Sequence, residues 1–182
     1  MPDDDVLRVL LGAIRFAAEN HRDQRRKGEE ASPYINHPIA VAEILTQHGV
    51  QDTVTLLAAI LHDTIEDTEA TPEELEERFG SDVRRVVEEV TDDKSAAREA
   101  RKEQQVERAH RLSPRAKLVK IADKLANVRD VVDAPPAGWP VERRVAYLEW
   151  TRAVVEGCRG TNTSLESAYF HTLEQGLIRL QK

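Results

Sequence analysis

The amino-acid sequence predicts an all-α protein, one helical bundle of about eight to ten helices that spans residues 1–182. Apolar residues recur at helical spacing in one segment after another. Helix-start signatures, with Ser or Thr as the cap and Pro in the first position, occur at Thr71-Pro72 and Ser113-Pro114. No segment needs to be a strand, and no repeat or linker divides the chain, so we expect a single domain.

The first helix is predicted over residues 6–20, where Val, Leu and Ile recur with a helical period. Residues 21–37 are polar, rich in Arg and Lys, and lack a sustained period, so they predict a surface loop. Pro38 suits the first turn of a second helix, because its missing N–H costs nothing there. Gly49 predicts the end of that helix.

Residues 53–65 predict a central, buried helix, because they are apolar nearly all round until the carboxyl end turns polar. Thr71 as the cap and Pro72 in the first position then predict a short helix that ends near Gly80. The next helix is expected over residues 81–90, with its serine as the cap.

The second half of the chain predicts four more helices. Residues 92–111 are crowded with charged side chains and predict a solvated helix with little to bury. Ser113 and the proline after it start a helix that continues to Val132 and should belong to the core. After a Pro-rich loop, residues 141–156 and 164–180 predict the last two helices.

Charge and cysteine content exclude several classes of function. The formal net charge of −7 argues against general nucleic-acid binding, because proteins hold a phosphate backbone chiefly through Lys and Arg. Cys158 is the only cysteine, so no intrachain disulfide can form. The first residues are acidic, unlike a secretory signal, and no apolar run is long enough for a membrane span. We therefore expect a cytoplasmic protein.

Four ionisable residues follow the most apolar stretch of the chain: His62, Asp63, Glu66 and Asp67. Burying such groups is costly unless they are paired or bind a metal ion. On one helix, residues three and four apart lie on the same side, so His62, Asp63 and Glu66 can point toward a common position. The cluster therefore predicts a bound cation or a chemical role.

Two further residues interrupt apolar patterns, His37 and Asp123. With His62 and Asp63 they offer two imidazoles and two carboxylates. This mixed set favours Mn²⁺, with Fe²⁺ and Zn²⁺ as alternatives. Taken alone, each residue has a simpler explanation, since a buried histidine is more often a hydrogen-bonded core residue than a ligand. The combination of all four in one chain is what favours a metal site.

Several segments carry a resemblance to a known family. In chain order they are HRDQRRKGEEASPYINHP, AAILHDTIEDT, FGSDVRRVVEEVTDDK, KLVKIADKLANVRD and GWPVERRVAYLEW. With them the chain resembles the His-Asp (HD) phosphohydrolase superfamily and, within it, the hydrolase domain of the bifunctional RelA/SpoT enzymes. It is most similar to the stand-alone type, the bacterial small alarmone hydrolases and the metazoan SpoT homologues.

The resemblance implies a manganese-dependent 3′-pyrophosphohydrolase that converts (p)ppGpp to GDP or GTP and pyrophosphate. By match to the family motifs, the metal ligands are His37, His62, Asp63 and Asp123. Glu66 and Asp67 match the acid/base pair that activates the attacking water. A carboxylate beside a metal can accept a proton from water, which agrees with the interpretation from the residues alone.

The resemblance also implies a set of nucleotide contacts. Arg26 and Lys27 match a basic pair that lies against the base, where a planar guanidinium can stack on a purine. Asn127 matches a residue near the ribose. Arg143 and Tyr147 match residues that contact phosphate and nucleotide. Arg98 stands where the family has a lysine in that set of contacts. The alternative for Asn127 and for these last three residues is a solvated position on a helix surface.

Three hypotheses of function remain open at this point. The first is hydrolysis of (p)ppGpp, a small-molecule activity without a nucleic-acid or membrane partner and without an accompanying synthetase. The second is an HD phosphohydrolase that acts on (p)ppApp or removes the 2′-phosphate of NADPH. The third, a silent nucleotide-binding scaffold, is disfavoured because all six matched site residues are present. The oligomeric state is left open, and the expected non-ligand histidines are His21, His48, His110 and His171.

Overall fold

The structure is a computed structural model that describes residues 3–181, with side-chain surroundings from residue 5 onward. Over this part of the chain, β-type pairing is limited to two isolated bridges. The ten helices of the described residues are α1 (Asp3–Asn20), α2 (Asn36–Gln47), α3 (Thr53–Leu61), α4 (Thr64–Asp67), α5 (Pro72–Phe79), α6 (Ser81–Val90), α7 (Arg98–Ala109), α8 (Pro114–Asp133), α9 (Val141–Glu156) and α10 (Thr163–Leu180). The predicted all-α fold is confirmed. Among these helices, none is both long and apolar enough to cross a membrane.

Helices α3 and α8 form the centre of the bundle. Helix α3 buries Leu57 and Leu61 and packs against α1, α2, α6 and α8. Helix α8 buries Ile121 and Leu125 and also contacts α9 and α10. Complete burial of one such side chain is worth about 1.5–3 kcal/mol. Residues carried by these two helices are therefore held in fixed positions.

Side-chain caps start four of the described helices, α3, α5, α8 and α10. Thr71 caps α5 and Ser113 caps α8, each accepting a hydrogen bond of 3.2 Å from the backbone N–H three residues on. Both starts are confirmed where the sequence predicted them. Asp52 caps α3 in the same way at 3.0 Å, and its carboxylate also accepts a hydrogen bond of 2.8 Å from Arg115 of α8.

The predicted continuous helix over residues 53–65 is wrong at its carboxyl end, because helix α3 ends at Leu61. His62 Nδ1 donates to the carbonyl of Ala59 at 2.8 Å, and Thr64 Oγ1 donates to that of Leu61 at 2.6 Å. Side chains that bond to the carbonyls of a last turn compete with the N–H groups that would continue the helix. The chain turns here, and the separate single-turn helix α4 follows.

Other boundaries differ from prediction by a few residues. Helices α1 and α2 begin a few residues earlier than predicted. Pro38 is the third residue of α2, and its missing N–H costs nothing there because the first N–H groups of a helix have no partner within it. Ser81 is the first residue of α6 and does not cap it; Gly80, with φ of 90°, takes the cap position. Helix α7 packs against α9 and is shorter than 92–111, because the Asp93 side chain holds a turn before it. Helix α10 begins one residue early.

One isolated bridge joins the basic loop after α1 to the loop after α8. Gly28 pairs with Pro136, and a Cβ on Gly28 would lie 3.1 Å from the carbonyl oxygen of Ala134. This close approach favours glycine. The two loops meet on one side of the bundle and form the rim of a cavity.

Candidate functional site

Three elements that are far apart in sequence bring His37, His62 and Asp123 together in the interior. His37 lies in the first turn of α2, His62 directly after α3, and Asp123 midway along α8. One nitrogen or oxygen atom from each lies within 4.8 Å of the other two, and no other histidine of the described residues joins the group. His37 Nε2 and His62 Nε2 lie 3.1 and 3.9 Å from Asp123 Oδ1. Atoms at this spacing can share one cation.

The His62 ring is oriented by the turn that ends α3. Its Nδ1 donates to the carbonyl of Ala59 at 2.8 Å, so in the neutral ring Nε2 carries a lone pair and no proton. Nε2 is buried and makes no well-aligned hydrogen bond to the described residues, although Asp63 Oδ2 lies 3.0 Å away. An unpartnered buried polar atom is costly, and a cation between the three side chains would satisfy it. His62 therefore presents the tautomer that a metal ligand requires.

Asp63 lies at the edge of this cluster, outside the three mutually close residues. Its Oδ2 is 3.0 Å from His62 Nε2 and accepts a hydrogen bond of 2.6 Å from the Tyr34 hydroxyl. Burial opposes ionisation of Asp63, but the neighbouring His62 outweighs burial and lowers the pKa of Asp63. The structure thus brings three of the four predicted ligands together and leaves the fourth beside them.

Asp123 is held as an ionised carboxylate in the interior. Lys124 Nζ lies 3.0 Å from its Oδ2, and Asn127 Nδ2 donates to its Oδ1 at 2.6 Å. Burial opposes ionisation, but the charge of Lys124 and the hydrogen bond from His37 hold the pKa of Asp123 well below its usual range. A buried anion of this kind is suited to bind a cation.

The two histidines of the cluster differ in their affinity for a proton. Burial lowers the pKa of His37, and its hydrogen bond to Asp123 offsets only part of that effect. For His62 burial is the largest single effect and opposes protonation, but the charges of Asp63 and Asp123 and the hydrogen bonds of the ring together outweigh it and raise the pKa to about 9. The surroundings of His62 therefore favour a positive charge between the two carboxylates.

Glu66 and Asp67 lie on α4, next to the cluster. Glu66 Oε2 accepts a hydrogen bond of 3.0 Å from the backbone N–H of Asp92, and Oε1 lies 3.7 Å from Arg101. Burial raises the pKa of Glu66, so this carboxylate binds a proton more readily than an exposed one. Asp67 pairs with Lys94 at 2.5 Å. The expectation that His62, Asp63 and Glu66 lie on one side of a continuous helix is wrong, since α3 ends at Leu61 and α4 is a separate helix.

A cavity of about 610 Å³ opens beside α4, and Asp67 forms part of its wall. Five of the six predicted nucleotide contacts line it: Arg26, Lys27, Arg98, Asn127 and Tyr147. Arg143 does not, but its guanidinium lies 4.2 Å from the ring centre of Trp139, which does. A cavity of this size can enclose a nucleotide.

Arg26 is the most constrained residue of the cavity wall. Its guanidinium forms a salt bridge with Asp130, in which Nε donates a hydrogen bond of 3.1 Å to the carboxylate. The same guanidinium donates to Asn127 Oδ1 at 3.0 Å. It also lies 5.5 Å from the ring centre of Tyr34. A planar cation held in this way can present its face to an aromatic base without first losing conformational freedom.

Three residues of the site were not predicted from the sequence: Tyr34, Asp130 and Trp139. Tyr34 stands in the basic loop, where no local signal relates it to Asp63. Asp130 follows Asp123 by seven residues on α8 and so lies on the same side of that helix, a spacing that could have identified it. Trp139 belongs to the loop after α8, and only the packing of that loop brings it to the cavity.

Comparison with known proteins identifies relatives of this chain. Residues 13–148 match the protein family described as HD domain. The chain is 55% identical over 167 residues to guanosine-3′,5′-bis(diphosphate) 3′-pyrophosphohydrolase MESH1 of Mus musculus, covering 91% of this chain and 93% of that one. It is 43% identical to the guanosine-3′,5′-bis(diphosphate) 3′-pyrophosphohydrolase of Aquifex aeolicus over 64% of this chain and 17% of that one. A solved structure, described as a metazoan ortholog of SpoT that hydrolyses ppGpp, matches at 46% identity with a TM-score of 0.90, covering 93% and 96% of the two chains.

Proposed function

The chain belongs to the HD domain family, and from this we infer that it is a metal-dependent guanosine-3′,5′-bis(diphosphate) 3′-pyrophosphohydrolase. It hydrolyses ppGpp and pppGpp to GDP or GTP and pyrophosphate. The Mus musculus relative with this name matches the chain over 93% of its own length. The observation that carries the inference is the buried cluster of His37, His62 and Asp123 next to a cavity of nucleotide size.

We propose that one divalent cation binds His37, His62, Asp63 and Asp123. The unpartnered Nε2 of His62 and the two ionised carboxylates fit a cation at this place. Two nitrogen and two oxygen ligands favour Mn²⁺, while Fe²⁺ and Zn²⁺ accept the same donor set. When bound, such an ion acidifies water and polarises a phosphoryl oxygen.

Glu66 and Asp67 are the proposed acid/base pair. The oxygen of water bonds to the phosphorus attached to the ribose O3′, the P–O3′ bond breaks, and O3′ keeps the electron pair and takes up a proton. Glu66 accepts the proton of the attacking water, a role suited to a half-buried carboxylate whose pKa is raised by burial. Asp67, in the cavity wall, is the candidate for proton delivery to O3′.

The nucleotide is proposed to occupy the cavity with its 3′-diphosphate toward Asp67. Arg26 and Lys27 then face the purine, and the fixed Arg26 guanidinium stacks on it. Asn127 follows Asp123 by one turn of α8 and faces the ribose. The remaining proposed contacts, with the phosphate groups and the nucleotide, are Arg98, Arg143 and Tyr147.

We also propose that a freely diffusing nucleotide is the partner of this enzyme, without nucleic acid, and that the enzyme works in the cytoplasm. The net charge of −7 disfavours binding to a phosphate backbone. The only cysteine, Cys158, is buried and free, which suits a reducing compartment.

A panel of purified nucleotides tests the function. The protein is incubated with ppGpp, pppGpp, pppApp or NADPH in the presence of Mn²⁺, then with a chelator, and then with Mn²⁺ restored. We expect one pyrophosphate and one GDP per ppGpp, lost on chelation and recovered with Mn²⁺. If ppGpp stays intact while pppApp or NADPH is consumed, the substrate is wrong and the second hypothesis is right; if none is consumed, the activity is wrong.

Matched variants test the ligand set in the same assay. His62→Ala or Asp63→Ala should remove both the bound metal and the turnover. His110→Ala, at an exposed histidine outside the cluster, should retain both. A His62→Ala protein with the wild-type metal content would contradict the proposed site.

A further inference from the structure

We propose that His21, acting through Gln24, positions the single-turn helix α4, which carries Glu66 and Asp67. Neither His21 nor Gln24 belongs to the metal cluster, and neither lines the cavity. The inference rests on the proposed function, because it concerns the rate of the same reaction. Both residues are positioning residues, since they act on the acid/base pair through hydrogen bonds.

Helix α4 depends on support from outside. It has four residues, and its backbone bonds include those from the N–H of Asp67 to the carbonyl of Asp63 at 2.8 Å and from Thr68 to Thr64 at 3.1 Å. A single helical turn is not stable by itself, and its last carbonyls have no partner within the helix. Besides the contacts of the two carboxylates themselves, the groups that bind those carbonyls therefore help to place Glu66 and Asp67.

Gln24 binds one of them. Its side-chain Nε2 donates to the backbone carbonyl of Asp67. A carbonyl oxygen can only accept, so the NH₂ end of the amide must face Asp67 and Oε1 must face away. Oε1 lies 2.8 Å from Nδ1 of His21, and because this oxygen also can only accept, Nδ1 is the donor. The orientation of the amide and the tautomer of the ring are thus fixed together.

His21 is itself held firmly at the end of α1. Its ring is 2% exposed, and its backbone carbonyl accepts a hydrogen bond of 2.9 Å from the N–H of Gln24. The ring packs on that of Tyr34 with their centres 4.9 Å apart. Nε2 has no hydrogen-bond partner among the described residues, so the bond from Nδ1 to Gln24 is the polar contact that this buried ring makes.

Loss of this chain of bonds should slow turnover without weakening the binding of metal or nucleotide. The contact ends on the backbone of Asp67, so the side chains of the metal cluster and most of the cavity wall are untouched. A displacement of about 1 Å can cost a reaction about 100-fold, and a looser one-turn helix should cost about 10-fold in kcat.

Three variants test the inference. Gln24→Leu removes both hydrogen bonds while keeping the size of the side chain. His21→Asn and His21→Gln form a matched pair, because Asn places an amide N–H near the position of Nδ1 whereas Gln places it near that of Nε2. We expect kcat to fall about 10-fold in Gln24→Leu and His21→Gln and to stay within about 3-fold of wild type in His21→Asn. KM and the Mn²⁺ content should not change in Gln24→Leu, and they should be equal in His21→Asn and His21→Gln, which both remove the ring that packs on Tyr34.

Hydrogen exchange gives a readout that does not depend on activity. The amides of Asp67 and Thr68 should exchange about 10-fold faster in Gln24→Leu than in wild type, because α4 opens more often. A wild-type protein that leaves ppGpp intact would defeat the proposed function, and the exchange rates would then decide the role of Gln24. If Gln24→Leu does not fold, the two His21 variants decide.

Three results would overturn the proposal. One is Gln24→Leu with wild-type kcat and wild-type exchange of the α4 amides. Another is an equal loss of kcat in His21→Asn and His21→Gln, which would mean that the Nδ1 donor is not what matters. The third is a loss of Mn²⁺ in parallel with activity, which would place the effect in the metal cluster.

Discussion

Replacement of Glu66 by glutamine separates the proposed chemistry from metal binding and folding. Glutamine has the same length, and its amide oxygen can still accept the 3.0 Å hydrogen bond from the Asp92 backbone. Arg101, 3.7 Å away, loses a charge partner but has a side chain that is 28% exposed, so water still solvates it. The free energy of unfolding should therefore change by less than about 1 kcal/mol.

The expected cost of Glu66→Gln falls on turnover, because a neutral amide cannot accept a proton from water. A positioned general base contributes about 10²–10⁴ in rate, or about 3–5 kcal/mol of activation free energy. Burial raises the pKa of Glu66 and so makes it a stronger base than an exposed carboxylate. We therefore expect a decrease of about 10³-fold in kcat.

The assay follows pyrophosphate release from ppGpp at saturating Mn²⁺, with the metal content of each protein measured by mass spectrometry. Glu66→Gln should retain its metal. Glu69→Gln, at an exposed residue just beyond α4, is the matched control and should keep wild-type kcat. The reasoning is refuted by a Glu66→Gln protein with wild-type kcat, or by one that loses metal and activity together.

Tyr34→Phe removes a 2.6 Å hydrogen bond to a proposed ligand, so the Kd for Mn²⁺ in a competition titration should rise about 10-fold; an unchanged Kd would contradict this. Asp130→Asn frees the Arg26 guanidinium, so KM for ppGpp should rise while kcat stays constant, and a change in kcat alone would count against it. Asp52→Ala should lower the free energy of unfolding by about 1 kcal/mol, measured in urea. Slight burial raises the pKa of Asp52, but hydrogen bonds from Arg115 outweigh burial and lower it. The stabilisation by ionised Asp52 is therefore present above pH ~4 and is lost as the pH falls further. A difference independent of pH would disprove that account.

Helices could be predicted wherever the signal is local. The starts at Thr71 and Ser113 depend on a cap and a proline that are neighbours in sequence, and both are confirmed. The break after Leu61 could not be predicted in this way. It depends on hydrogen bonds from the side chains of His62 and Thr64 to carbonyls that a continuous helix would satisfy equally well.

The same distinction applies to the site. His37, His62 and Asp123 could be identified because a polar side chain within an apolar pattern costs free energy unless something binds it. Their convergence follows from the packing of α2, α3 and α8. Asp130 could have been identified only from its seven-residue spacing to Asp123 on α8. Trp139 carries no such local signal, because its place at the cavity depends on how the loop after α8 meets the basic loop.

The most direct measurement of the central claim is anomalous X-ray scattering at the manganese absorption edge from crystals grown with Mn²⁺. One peak is expected among His37, His62, Asp63 and Asp123, about 2.0–2.3 Å from an atom of each. A peak bound only by surface carboxylates, or no peak in this cluster in crystals of an enzyme with full Mn²⁺-dependent activity, would contradict the account.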